Sequence, residues 1–172
     1  NLDVLKETIS QIAQKGKGIL AADESTNTCK KRFDALGIEF TEENRRDYRE
    51  MLFRTPGISD YISGVILFEE TLKQDAKDGT PLHKVLSDQG IVPGIKVDKG
   101  KVKMEGQDAE EVTQGLDDLD DRYKDYKQYG AKFAKWRAVY HITDKLPSEE
   151  NIKANAQGLA EYAKISQDND IV

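Results

Sequence analysis

An α/β fold built around a parallel sheet is the class that this sequence of 172 residues predicts. Three observations predict it. Short apolar runs bounded by glycine or charge read as buried strands. Stretches with apolar side chains three or four residues apart read as helices. The two kinds alternate along the chain. Such alternation calls for right-handed crossovers between parallel neighbours.

The elements follow in order. DVLKETISQIAQK is a helix with Leu5, Ile9 and Ile12 at helical spacing, ended by Gly16 and Gly18. GILAAD (18–23) is the first strand, and TCKKRFDALG is a helix that stops at Gly37. Thr41 is placed to cap TEENRRDYREMLF, where Glu42 and Glu43 suit the helix dipole. GVILF (64–68) is the second strand, a helical stretch runs from Pro81 to Asp88, and PGIKVD (93–98) is the third strand. From Gly115 a helix presents Leu116, Leu119, Tyr123 and Tyr126 on one side, carries Asp117, Asp118, Asp120 and Asp121 in its first turns, and ends at Gly130. KFAKWRAV (132–139) reads as the fourth strand from its aromatic and β-branched content. A helix from Ser148 to Gln167 carries a stripe of Ile152, Ala156, Leu159 and Ala163, and the final DIV reads as the start of a fifth strand. Two architectures accommodate this series. One is an open doubly wound sheet complete within this length. The other is roughly half of an eight-stranded α/β barrel, for which about 250 residues is typical.

Side chains alternate along a strand, so Phe133, Lys135 and Arg137 share a face, as do Gly94, Lys96 and Asp98, and Ile19, Ala21 and Asp23. Each set carries its charge near the carboxyl end of the strand, where both architectures bind ligands. Lys135 and Arg137 are therefore expected to face an anionic substrate, while Ala134, Trp136 and Ala138 pack on helices. The bland readings are a helix-capping Asp23, a solvated Lys96, and cations that merely pair with Asp23. His83 and His141 read as surface residues, and Cys29 as a packed helix residue.

The chain has 26 basic and 32 acidic residues and a formal net charge of -6, which argues against nucleic acid or an anionic membrane as the main partner. One cysteine forms no internal disulfide, and a reducing, cytoplasmic setting is expected. The apolar runs fall far short of the roughly 20 residues of a membrane span. No phosphate loop, dinucleotide fingerprint or paired-cysteine or paired-histidine metal motif occurs. What remains is lysine chemistry on an anionic small molecule, with neighbouring cations depressing a lysine pKa.

The blocks GKGILAADEST (16–26), TEENRRDYRE (41–50), ISGVILFEETL (62–72), GIKVDKG (94–100), TQGLDDL (113–119) and FAKWRAV (133–139) come in the order and spacing of the class I fructose-bisphosphate aldolases. The chain resembles that family over essentially all of its length. The resemblance implies a TIM (β/α)8 barrel, with residues 1–172 as the amino-terminal half of one domain: the first four βα units and the start of the fifth strand. It implies reversible cleavage of fructose 1,6-bisphosphate to dihydroxyacetone phosphate and glyceraldehyde 3-phosphate in glycolysis and gluconeogenesis. A lysine imine withdraws electrons from the breaking bond, so neither metal nor cofactor is implied. It also implies a cytoplasmic homotetramer.

Carried over residue by residue, the resemblance makes Asp23 and Lys135 catalytic. Asp23 orients the imine-forming lysine and handles protons, and Lys135 stabilises developing negative charge. Lys96 and Arg137 would hold substrate hydroxyl and phosphate oxygens, Ser25, Thr28 and Arg32 would line a phosphate pocket, and Arg45 would touch substrate. Thr28 replaces a common serine, Asp118 stands where many members have glycine, and Glu69 where many have histidine. The family's V-E-P-E glutamate pair, its imine-forming lysine and a later serine and arginine have no counterpart in residues 1–172, so this chain alone is expected to be inactive. Two rival readings are a non-catalytic protein binding actin or other cytoskeletal proteins, as family members do, and a self-contained sugar-phosphate domain.

Overall fold

The computed structural model describes residues 1–107 and 109–172. Helix α1 (Leu2–Ile12) is capped by Asn1 and leads to β1 (Gly18–Ala22). Helix α2 (Thr26–Leu36) is capped by Ser25 and ends at Gly37 in the left-handed conformation, φ 66°, which an L side chain would resist. Helix α3 (Glu42–Phe53) starts at the Thr41 cap. A single turn, α4 (Ile58–Tyr61), enters β2 (Ile62–Leu67), and α5 (Glu69–Lys73) and α6 (Leu82–Ser87) lead to β3 (Val92–Lys96). A short hairpin of β4 (Lys101–Lys103) and β5 (Glu111–Thr113) precedes α7 (Leu119–Gln128), β6 (Phe133–Lys135) and α8 (Glu149–Asp168).

The main sheet is parallel and ordered β1-β2-β3-β6. Each strand lies beside its predecessor, without the reversal of order that defines a doubly wound sheet. Of the two predicted architectures, the barrel segment is the one formed. Val172 extends the same progression: its amide donates to the Lys132 carbonyl at 3.1 Å and its carbonyl accepts from the Ala134 amide at 2.7 Å. The final DIV thus begins a further strand beside β6, as expected.

Alternation sorts the side chains. On the outer face Ala22, Val65, Leu67, Ile95 and Val97 are fully buried against Phe53, Leu72, Leu82, Leu86, Leu119, Tyr123 and Tyr126 of the helices. Each buried Val, Leu, Ile or Phe among these contributes roughly 1.5–3 kcal/mol by leaving water. Trp136 stacks on Tyr162 of α8, with centroids 5.3 Å apart. On the inner face the Phe133 ring fills the space over Gly64 and Gly94; a Cβ at position 94 would lie 2.3 Å from the ring. Glycine is needed there so that one aromatic from the fourth strand can occupy the concavity.

Three expectations are corrected. The fourth strand ends at Lys135 rather than at position 139, because the Thr113 hydroxyl donates to the Arg137 carbonyl at 2.7 Å and holds the chain against the hairpin instead of the sheet. The predicted stripe of α8 points outward, with Ile152 45% and Leu159 38% exposed. The helix buries Asn151, Asn155 and Ser166, because its neighbour β5 offers a backbone carbonyl: Asn151 and Asn155 both donate to the Glu111 carbonyl, at 3.0 and 3.4 Å. In α1, Ile9 is exposed and the buried residue is Thr8. The hairpin and the short helices α4 and α5 have no counterpart among the predicted elements.

Candidate active site

The ladder of β1 ends at Ala22, so Asp23 stands just past the strand's carboxyl end. Lys135 closes β6 in register with Lys96 on β3. Lys135 Nζ donates to Asp23 Oδ2 at 2.8 Å. In a flat sheet the first and fourth strands would be about 14 Å apart, three spacings of about 4.8 Å, and side chains perpendicular to the sheet could not meet. The sheet therefore curls until β1 and β6 face each other across the concave side, as strands of a closing barrel do. Lys135 keeps 31% of its side chain exposed and Asp23 only 10%, so the pair is buried at the acid and open at the amine. That asymmetry leaves the ammonium accessible to an anion while removal of the lysine would strand a desolvated carboxylate.

Lys96 lies beside this pair, half-buried. Its Nζ donates to the Asp98 carbonyl at 2.8 Å and lies 3.1 Å from Asp98 Oδ1. Asp98 Oδ1 also accepts the Gly100 amide at 3.2 Å, whereas Oδ2 is buried without a hydrogen-bond partner among the described residues. The bland reading of a solvated Lys96 is not met, because its ammonium is held by Asp98.

Helix α2 begins directly after the site, and a helix amino terminus is where an anion can bind. Ser25 accepts the Thr28 amide at 3.4 Å and its hydroxyl donates to the Thr28 hydroxyl at 3.2 Å. Ser25, Thr28 and Arg32 follow at spacings of three and four, hence on one helix face. Arg32 pairs with Glu24, which also accepts from the Tyr48 hydroxyl at 3.0 Å. The Glu24 carboxylate, ahead of the Tyr48 hydroxyl, raises the Arg32 pKa. Burial, and then the bond to Glu24, raises that of Tyr48.

Among the described residues, Arg45 and Arg137, both named from the sequence, form no hydrogen bond or ion pair with this group. Arg45 forms a two-pronged contact with Glu70, at 2.7 and 2.8 Å, and its guanidinium stands over the Phe40 ring, 4.6 Å from the centroid. Arg137 follows the end of β6 and is exposed. Glu24, Tyr48 and Arg49 belong to the site's structure and went unpredicted. The readable signal was Arg49 itself, four residues before Phe53 on the buried side of α3. Cys29 is buried in α2, as expected, and His83 is half-buried on α6. Among the described residues no cluster of His, Cys, Asp and Glu has a metal-binding arrangement, and no helix is long and apolar enough to cross a membrane.

A consecutively ordered, curled parallel sheet, with lysines and a carboxylate gathered at its carboxyl ends, defines an α/β-barrel segment bearing a cationic site. The model of the glycolytic family "Fructose-bisphosphate aldolase class-I" matches residues 4–172, and the chain belongs to that family. A probable fructose-bisphosphate aldolase class 1 of Xanthomonas campestris is 53% identical over 172 residues, covering 100% of this chain and 52% of the relative. Cytosolic fructose-bisphosphate aldolase 6 of Arabidopsis thaliana is 54% identical over 170 residues, covering 99% and 48%. The fructose-bisphosphate aldolase of Plasmodium falciparum, solved in complex with TRAP and a small-molecule inhibitor, superposes with a TM-score of 0.96 at 50% identity, covering 99% of this chain and 50% of that one. The chain thus spans about half the length of the curated relatives it matches.

Proposed function

We propose that residues 1–172 form the amino-terminal half of a barrel that reversibly cleaves fructose 1,6-bisphosphate to dihydroxyacetone phosphate and glyceraldehyde 3-phosphate through a lysine imine. The observation that carries this reading is the 2.8 Å Asp23–Lys135 pair at the strand ends, in a chain of this family. In it, Asp23 orients the imine-forming lysine and exchanges protons at its carboxylate. Lys135 Nζ stabilises charge that develops on substrate oxygen. Lys96 and Arg137 hold hydroxyl or phosphate oxygens, and Ser25, Thr28 and Arg32 form a phosphate pocket with the α2 amides. Phosphate binding would draw Arg32 from Glu24. Arg45 contacts substrate only if the Glu70 pair opens. The substrate is a sugar phosphate, and the setting is cytoplasmic, in line with the cytosolic plant relatives.

On this reading the imine-forming lysine lies outside residues 1–172, and these residues alone have no aldolase activity. Borohydride reduction with substrate tests this. An adduct in the full-length enzyme, mapping outside residues 1–172, and none on the isolated chain are expected. A stoichiometric adduct on Lys96 or Lys135 would overturn the assignment of roles. A protein-binding reading also has support, because the Plasmodium falciparum relative was solved with TRAP. Homotetramer formation and actin or other cytoskeletal binding belong to that reading. Size measurement and actin co-sedimentation of the full-length protein test them.

A further inference from the structure

Asp23 follows the last ladder pair of β1, so the sheet does not hold its far peptide. A side chain from α3 does. Arg49 is 2% exposed; its Nε donates to the Ala22 carbonyl at 2.9 Å and its Nη2 to the Glu24 carbonyl at 2.9 Å. These two acceptors flank Asp23. The same guanidinium lies 3.3 Å from Glu24 Oε2, without hydrogen-bond alignment, 5.3 Å from the Tyr48 ring centroid, and 3.8 Å from Cys29 Sγ through Nη1. An arginine that served only to neutralise Glu24 would direct its aligned hydrogens at the carboxylate. Here the two short, aligned bonds go to the carbonyls on either side of the acid.

We propose that Arg49 is a positioning residue: its planar fork clamps the carbonyls of Ala22 and Glu24 and thereby aims the Asp23 carboxylate at Lys135. The fork geometry is what the task requires, because one rigid group must reach two acceptors in fixed directions. The clamp stands on the geometry alone, and only its kinetic consequence rests on the aldolase reading.

The test uses the full-length enzyme that contains these residues. Arg49→Lys retains a cation beside Glu24 but replaces the fork with a point donor. Misplacing a reacting group by about 1 Å is expected to lower kcat roughly 10- to 100-fold. KM for the bisphosphate should stay within about twofold, since no substrate contact is removed. The loss should vanish in an Asp23→Ala background if Arg49 acts through Asp23. A second readout is independent of turnover: reductive methylation of Lys135 without substrate should speed up several-fold as the ion pair loosens. An equal loss of kcat in both backgrounds, unchanged labelling of Lys135, or wild-type kcat in a folded Arg49→Lys protein would each overturn the proposal. If Arg49→Lys does not fold, Arg49→Ala with added methylguanidinium takes its place. Recovered kcat without recovered protection of Lys135 would then overturn it. If the wild-type enzyme itself leaves the bisphosphate uncleaved, the functional reading fails, while the labelling ratio still decides the clamp.

Discussion

The two faces of the main sheet carry the same strands and obey opposite rules. Outward, Val65, Leu67, Ile95 and Val97 have no exposed surface and pack in one cluster with apolar and tyrosine side chains of the helices. Inward, at the carboxyl ends of the strands, stand Asp23, Lys96 and Lys135: Lys135 pairs with Asp23 at 2.8 Å, and Lys96 is held by Asp98 at 2.8 and 3.1 Å. The outer face draws on dispersion and the hydrophobic effect, so any side chain of the right volume would hold it. The inner face depends on direction and charge, so an isosteric change can abolish its chemistry and leave the fold intact.

The largest expected effect breaks the inner face. Lys135→Ala in the full-length enzyme should lower kcat by roughly two to four orders of magnitude, as for loss of a positioned electrostatic or acid–base group. Steady-state kinetics check this, and near-wild-type turnover would remove Lys135 from its proposed role. On the outer face Leu67→Ala should destabilise the protein by about 2–5 kcal/mol, seen as a lower denaturant midpoint, with kcat of the folded fraction unchanged. A comparable fall in kcat would mean that the two faces are coupled.

Smaller effects sharpen the contrast. Arg32→Ala and Lys96→Ala should each weaken binding of the bisphosphate by about 1.5–3 kcal/mol, and weaken binding of an uncharged sugar far less. Equal KM changes on both substrates would count against anion binding. The smallest effect is in the helix layer at His83, half-buried and edge-on to Tyr129 at 6.1 Å. Burial first, and Lys84 second, depress its pKa below 6.5 against the opposing pull of Asp75. Between that depressed value and 6.5 the unfolded chain binds more protons than the folded one, so stability falls as pH drops through this window and is fully present above it. His83→Gln should flatten the dependence of melting temperature on pH there. A parallel dependence in the variant would locate the titration elsewhere.

Local pattern carried most of the elements. The cap at Thr41 and the stop at Gly37 depend on residues within a turn of one another and formed where expected, and the apolar run GVILF formed a strand that begins earlier, at Ile62, and ends at Leu67. Strand alternation and the family resemblance singled out Asp23, Lys96 and Lys135, and the fold brings them to one end of the sheet. The errors share a different cause. The outer face of α8 was taken for its inner face because Ile152 and Leu159 are apolar, whereas the helix packs on a hairpin whose Glu111 carbonyl takes hydrogens from asparagines. KFAKWRAV has strand composition throughout, yet its second half leaves the sheet because the Thr113 hydroxyl, 24 residues earlier, binds the Arg137 carbonyl.

Periodicity and capping are short-range, so the residue order settles which segments become strands or helices and at which strand ends the charges fall. Curvature is long-range. Whether Asp23 and Lys135, 112 residues apart, form a pair depends on the accumulated twist of the intervening strands and on Phe133 seated over Gly64 and Gly94. The same holds for Arg49, which reads from the sequence as one more charge in NRRDYRE. It becomes a clamp on Asp23 only because α3 packs its buried side against the end of β1.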